Sequence, residues 1–431
     1  MPLRLDIRDP DFVARFEELV HSKRETEADV GDVAKAILDD VAARGDAALI
    51  DYTRRFDRFD PAETGLAITD AEIDAAVARV APETRKALEL AAERIGAFHA
   101  RQMPEGFEVV DGEGVRLGLR WTAIDAVGLY VPGGTAAYPS SVLMNAIPAR
   151  VAGVQRRVMV VPTPDGVLND LVLTAARVAG LTELWRVGGA QAVGALAYGT
   201  ESIRPVDKIV GPGNAYVAAA KRQVFGRVGI DSIAGPSEIL VVADADNDPA
   251  WIAIDLLSQA EHDAAAQAIL VTDDAAFADR VVAAVDDHLV TLPRTSIAAE
   301  SWHRQGAVIL VRSLDEAPAL VDRLAPEHLE LAVAEPDAMA ARIRHAGAIF
   351  LGRFAPEAVG DYVAGPNHVL PTARTARFSS GLGVLDFLKR TTTVACDAAS
   401  LAAIGPAAIT LAEAEGLDAH ARSIAVRLNR R

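Results

Sequence analysis

Residues 184–214 read LWRVGGAQAVGALAYGTESIRPVDKIVGPGN, and this stretch decides the fold. It opens on a short β-rich run, Leu184–Val187, and turns on Gly188-Gly189. A segment long enough for a helix follows, then a second β-rich run, Lys208–Val210, which breaks at Gly211-Pro212-Gly213-Asn214. Strand, glycine turn, helix, strand is a βαβ unit, whose strands run parallel. The same rhythm extends in both directions, through strand candidates at 127–131, 158–161, 239–243, 268–272, 307–311 and 348–351. One break falls at 229–237, where turn residues separate two such series. The sequence therefore predicts an α/β protein with two Rossmann-like domains on parallel sheets, roughly 121–235 and 236–385.

The flanks differ in texture. Residues 1–105 read as helical, with apolar positions at Val33, Ala36, Ile37 and Val41 and again at Ile73, Val77 and Val80. Thr69-Asp70-Ala71-Glu72 carries the chemistry of a helix start. Residues 106–120 alternate around Asp111-Gly112 like a β-hairpin. The tail, 386–431, is Ala-rich and reads as helical.

Composition narrows the function. The chain has 431 residues, 51% hydrophobic and 24% charged, which fits an ordinary globular protein of several domains. Lys and Arg number 43 against 60 Asp and Glu, a formal charge of −17. That charge repels phosphate backbones and argues against general nucleic-acid binding. The single cysteine, Cys396, allows no intramolecular disulfide and no thiolate zinc site, and it reads as a packing residue. A reducing, cytoplasmic setting is the simplest expectation. No apolar run is long enough to span a membrane, and the first residues lack a secretory h-region.

Three glycine-rich turns follow strand candidates: Gly128–Thr135, Gly188-Gly189-Ala190-Gln191 and Gly211–Asn214. Glycine there lets backbone N–H groups approach a phosphate at a helix start. An ordinary turn explains any one of them, but three in one domain point to a nucleotide cradle. Neither G-x-G-x-x-G nor a P-loop is present.

The second domain carries imidazoles and acids. Gln259 and His262 are three apart, which suits two metal ligands on one helix face or a solvated helix end. Pro326-Glu327-His328 reads as the first turn of a helix, with Glu327 and His328 either an acid–base pair or a polar cap. Asp361 and His368 fall in a loop bounded by Gly and Pro. Glu415 and His420 lie on the tail and, taken alone, read as surface. Together with His328 these offer enough N and O ligands for a zinc-type site without thiolates. H-E-x-x-H and G-x-S-x-G are absent, which disfavours a zincin protease and an esterase elbow.

These segments together resemble the histidinol dehydrogenase family. The resemblance rests on Ile230–Ile239, Ser258–Asp263, Val131–Gly134, Gly211–Asn214, Ala325–Leu329, Ala364–Thr372 and Ala412–His420, and it runs over essentially the whole chain. It implies a zinc-dependent, NAD-linked oxidation of L-histidinol through the aldehyde to L-histidine. Zn²⁺ would be held by Gln259, His262, Asp361 and His420. Substrate would meet the same four residues and Ser237, His328, His368 and Glu415. NAD would be contacted by Tyr130, Gln191 and Asn214. Glu327 and His328 would be the acid–base residues, with His328 the general base and Glu327 activating water. The resemblance also implies a homodimer whose tail reaches the partner's site. A paralogue oxidising another small alcohol remains the competing reading, and a non-catalytic two-lobed binding protein is a more distant one.

Overall fold

Continuous apolar runs, not alternating ones, build the central strands. Residues Glu238–Ala243 and Gln267–Thr272 are buried at every position, as parallel strands covered on both faces must be. The computed structural model describes residues 1–22, 30–133, 138–233 and 235–429. Gly134 and Thr135 of the first glycine turn, and Ala234 between the two series, lie outside the described residues.

In chain order the strands are β1 (Leu3–Asp6), β2 (Phe107–Val110), β3 (Arg116–Ala123), β4 (Ala126–Tyr130), β5 (Arg156–Val160), β6 (Glu183–Trp185), β7 (Lys208–Val210), β8 (Gly229–Ile230), β9 (Glu238–Ala243), β10 (Gln267–Thr272), β11 (Ala307–Leu310), β12 (His328–Ala332), β13 (Ala348–Leu351) and β14 (Leu388–Ala395). Two parallel sheets result, ordered β6-β5-β4-β7-β8 and β1-β11-β10-β9-β12-β13. Apart from β1 the two orders are the same: the series starts in the middle, runs to one edge, then crosses back to the other. Each sheet thus has a switch point, between β4 and β7 in the first and between β9 and β12 in the second. The βαβ reading of 184–214 holds: β6 and β7 flank the helix Gly189–Tyr198.

Both flanks contain a strand that their helical reading leaves out. β1 pairs in parallel with β11 at the edge of the second sheet. The helix Phe12–His21 behind it buries Phe12, Phe16, Leu19 and Val20 in the core of that sheet. The first 21 residues therefore pack with the second unit, far along the chain; four residues of strand are too few to show a period. In the tail, β14 lies antiparallel to β3 and completes a three-stranded sheet, β14-β3-β2, around the predicted hairpin. Its Thr391, Thr392, Thr393 and Val394 are β-branched and favour this extended state. The helices Ala398–Ala414 and Asp418–Ala425 follow.

The helices between 30 and 100 cover the first sheet. Thr69 and Glu72 form the expected capping box, each side chain accepting the other's backbone N–H. The buried stripe of Val30–Arg44 is Ala34, Ile37, Leu38 and Val41: Ile37 and Val41 are buried as predicted, while Val33 and Ala36 are exposed. No helix among the described residues is long and apolar enough to cross a membrane.

Candidate active site

His328 opens β12 and is not in the first turn of a helix, as the Pro326-Glu327-His328 spacing suggested. The helix Ala317–Leu324 ends on Ala325 in the left-handed region, φ 46°. Pro326 cannot continue a helix there, so the chain leaves as strand. Along β12 the side chains of His328 and Glu330 then share one face. Next to it lies the first residue of β9, Glu238. Glu327 Oε2 accepts the backbone N–H of Glu238 at 2.9 Å, and Glu238 Oε2 accepts that of Glu327 at 3.3 Å. His328 Nδ1 donates to the Glu238 carbonyl at 3.0 Å. His328 Nε2 is buried and has no hydrogen-bond partner.

A second wall faces that nitrogen. The short helix Glu357–Tyr362 carries Glu357 and Asp361 one turn apart, so Asp361 sits on a helix and not in the predicted loop. Their oxygens lie 3.8 and 3.9 Å from His328 Nε2. His368 does lie in a loop; its Nδ1 donates to the Asp361 carbonyl at 3.0 Å, and Ser141 Oγ lies 3.4 Å from its Nε2. Gln259 ends the helix Pro249–Ala260, and His262 follows in the next turn. Gln259 Nε2 and His262 Nδ1 are 3.2 Å apart, with Gln259 Oε1 buried and unpartnered. Ser237 immediately precedes β9, and its carbonyl accepts the N–H of Gln267. Beneath this layer Glu330 Oε1 accepts the N–H of Glu357 at 2.5 Å.

The electrostatics of the cluster are unusual. Burial pushes Glu327 and Glu330 well above the ordinary carboxylate range, Glu357 up to about 8 and Asp361 up to about 6. Neighbouring carboxylates add to the rise at Glu327, Glu330 and Glu357. Burial drives His328 down to about 3 and His368 down to about 4, and lowers His262 as well. The imidazoles are therefore neutral, the form that binds metals and accepts protons. The carboxylates are short of positive charge. His328, Glu357 and Asp361 are a group of potential ligands whose donor atoms lie within 4.8 Å of one another. Of that group, only Asp361 belongs to the ligand set implied by the resemblance.

The site occupies the amino ends of β9 and β12, whereas open α/β sheets bind ligands at the carboxyl ends. In the first sheet the glycine turns lie at the carboxyl ends, after β4, β6 and β7. Tyr130 is buried, its hydroxyl accepts the N–H of Gly189 at 3.0 Å, and burial pushes its pKa up to about 12. Gln191 is buried with Oε1 unpartnered, and the Asn214 side chain caps the helix Ala215–Val224 through the Val217 N–H. Gly211 has φ 109°, and a Cβ there would stand 2.1 Å from the Tyr130 carbonyl oxygen, so only glycine fits. Lys221 and Asp231 form a buried ion pair; Lys221 Nζ donates to the Gly211 carbonyl, and Asp231 accepts the Gly211 N–H.

The tail residues stand apart. Glu415 ends the helix Ala398–Ala414, and His420 lies on Asp418–Ala425; both are exposed, and these two helices pack mainly on each other. Cys396 is exposed rather than packed.

A family model described as histidinol dehydrogenase matches residues 20–428. This chain belongs to the histidinol dehydrogenase family. The family is one of oxidoreductase enzymes. A histidinol dehydrogenase of Rhodospirillum rubrum is 69% identical over 431 residues, covering 100% of this chain and 99% of that protein. That of Rhizobium meliloti is 65% identical over 429 residues, with 100% and 99% covered. The crystal structure of histidinol dehydrogenase from Elizabethkingia anophelis superimposes with a TM-score of 0.94 at 37% identity, covering 99% of this chain and 98% of that one.

Within this histidinol dehydrogenase fold, sequence reasoning overlooked Glu238 and Glu357. Glu238 acts through its backbone and through contacts between strands 89 residues apart, which no local pattern shows. Glu357 was within reach, because Glu357 and Asp361 are spaced i, i+4 behind Pro356.

Proposed function

We propose that this member of the family oxidises L-histidinol to L-histidine in two NAD-dependent steps, as the last steps of histidine biosynthesis, with a bound Zn²⁺. The observation that carries this reading is His328 Nε2: buried, neutral, unpartnered and faced by Glu357 and Asp361, with Glu327 on the Nδ1 side of the same ring. A base of that kind in a dry cluster is costly unless a substrate uses it; each orphaned buried polar group costs about 1–3 kcal/mol.

The donor set fits a divalent cation. Gln259 Oε1 is orphaned, His262 is neutral, and Asp361 belongs to a group of crowded carboxylates that a cation would relieve. Gln259, His262 and Asp361 would hold zinc, with His420 of the partner subunit as fourth ligand; an N/O set without sulfur suits it. Zinc would supply a Lewis-acid grip on the substrate's imidazole and amine, which orients the carbinol carbon. NAD⁺ would lie on the glycine turns by Tyr130, Gln191 and Asn214 and take up the hydride of each step.

The chain's own residues do the rest. His328 Nε2 takes the hydroxyl proton as the C–H bond gives up its hydride, leaving the aldehyde. Glu327, once ionised, draws a proton from the water that adds to the aldehyde, while protonated His328 returns its proton to the aldehyde oxygen and is free to act again. His328 takes a proton again as the hydrate is oxidised to the acid. Ser237, His368 and the partner's Glu415 would hold the substrate's other polar groups. Burial keeps the aldehyde from escaping between steps.

A homodimer would complete the site. Leu411, Leu417 and Val426 are exposed on the tail, and Trp251, Phe354, Val359 and Tyr362 are exposed on or beside the helices that bear Gln259 and Asp361. Covering these faces with each other would bring His420 and Glu415 to the site. The acidic charge, the buried cluster of imidazoles and carboxyl groups and the lone cysteine support a cytoplasmic enzyme acting on a small molecule rather than on nucleic acid or a membrane. The deciding experiment counts NADH per L-histidinol with zinc-loaded protein and excess NAD⁺. Two NADH with histidine as product is expected; turnover of another small alcohol in preference would make the chain a paralogue.

A further inference from the structure

Glu357 takes no part in the proton transfers assigned to His328 and Glu327, yet it is set into the same wall. Its side chain is 2% exposed. Its Oε2 lies 3.1 Å from Ser258 Oγ, and its backbone N–H is held by Glu330. Its Oε1 is buried, unpartnered and 3.8 Å from His328 Nε2. A carboxylate anchored by one oxygen and bare at the other, beside the nitrogen that accepts a proton, is placed to receive a hydroxyl.

The two oxidations differ in how many hydroxyls they present. The alcohol has one, and His328 Nε2 satisfies it. The hydrated aldehyde, R–CH(OH)₂, has two on the same carbon. One gives its proton to His328 as the C–H bond passes its electron pair to NAD⁺ and a C=O bond forms. The other stays on carbon and becomes the acid's hydroxyl. During the step it needs an acceptor of its own; without one, the C–H bond is not held toward the nicotinamide, and the diol can lose water and return to aldehyde.

We propose that Glu357 Oε1 accepts a hydrogen bond from the second hydroxyl of the hydrated aldehyde, which makes Glu357 a catalytic residue of the second oxidation. The proposal rests on the reading that one site carries both oxidations. Its neighbour Asp361 gives Glu357 an alternative occupation, that of a further metal ligand, and the test separates the two.

The variants are E357L, which keeps the bulk but has no acceptor, and E357A, which removes the acceptor with the side chain. Each is purified with zinc, and its zinc content and melting temperature are measured beside wild type. Single-turnover rates are then followed separately with L-histidinol and with L-histidinal, and released aldehyde is trapped with semicarbazide. The expected result is wild-type zinc content, with oxidation of the aldehyde falling at least tenfold more than oxidation of the alcohol. NADH per histidinol should fall from two toward one, with aldehyde trapped. Equal losses in both steps would overturn the proposal, as would lost zinc with activity restored by added Zn²⁺. Wild-type enzyme that itself stops at one NADH would overturn the two-step reading, and the proposal with it. If E357A does not fold, E357L alone decides.

Discussion

The backbone carbonyl of Glu238 receives the Nδ1–H of His328 at 3.0 Å, on the neighbouring strand. A carbonyl only accepts, so the proton of the neutral ring is on Nδ1 and the lone pair is on Nε2. The tautomer needed for a base facing the carboxylate wall is thereby fixed by main chain. Asparagine at 328 can reproduce the Nδ1 donor but has no basic nitrogen. H328N is expected to keep its zinc content and fold, while kcat falls about 10²–10⁴-fold in both oxidations, the usual worth of a positioned base. Steady-state kinetics with histidinol and with histidinal check this; a loss confined to one step would remove His328 from the other.

Glu327 is a buried carboxyl group, held by the Glu238 N–H and raised by burial. If its task is to activate water, its loss falls on hydration and not on hydride transfer. E327Q is expected to lose histidine formation from histidinol. It should recover much of the second oxidation when histidinal, which hydrates in water, is supplied directly. That recovery distinguishes it from E357L, which stays slow on the same hydrate. Measurement is by NADH release with each substrate.

Much of this was legible in residues 184–214 and their neighbours, because parallel strands buried on both faces leave continuous apolar runs bounded by glycine. What escaped was long-range. β1 is four residues that become a strand only by pairing with β11, 304 residues on in the register Leu3 to Ala307. β14 was readable in Thr391–Thr393 but was absorbed into an Ala-rich tail. At the site, Gln259, His262, Asp361 and His368 announced themselves as residue types, and the structure gathers them around His328. Their assembly at the amino ends of β9 and β12 could not be read, because it depends on how helix Glu357–Tyr362 crosses back over β12.

Removing the metal should leave a measurable pH signature. Between about pH 7.5 and 8.5 the imidazoles are almost wholly neutral whether the chain is folded or unfolded, so they contribute little slope. Glu327 and Glu357 differ: their folded pKa values are raised, Glu357 to about 8, so the folded state holds protons that the unfolded state has released. A carboxylate raised in the folded state costs stability as pH rises through this range, so metal-free protein should melt lower at about pH 8.5 than at about pH 7.5. Bound zinc favours the ionised carboxylates and should flatten the dependence. The zinc-induced rise in melting temperature is thus expected to grow across this window, and E357Q should reduce that growth. Calorimetry at the two pH values checks both; a zinc effect independent of pH would contradict the assignment of a cation to this cluster.

The tail offers a test that needs no catalysis. Residues 398–429 form two helices that pack on each other and expose Leu411, Leu417 and Val426. If they complete a partner's site, a chain ending after β14 should still build both α/β units. It should bind zinc at least tenfold more weakly, because three ligands remain of four, and should shift toward monomer in ultracentrifugation. H420A should keep the dimer and lose only the zinc affinity. Truncation with zinc binding intact would place His420 elsewhere.

The cofactor side turns on the Lys221–Asp231 pair. These two charges are buried together and grip the two peptide units that flank one residue, through the Gly211 N–H and the Gly211 carbonyl. They thereby shape the turn that leads to Asn214. Removing one partner leaves the other charge buried and unpaired, so K221M is expected to destabilise the protein by about 3–5 kcal/mol. The double variant K221M/D231N removes both charges and should regain most of that loss. If the turn positions NAD⁺, the double variant should still show a KM for NAD⁺ raised several-fold with kcat for histidinol little changed, because His328 and the proposed metal ligands lie at the other sheet. Denaturant titration and NAD⁺ kinetics of the three variants decide it: a double variant as stable as wild type with an unaltered KM would leave the pair a purely structural one.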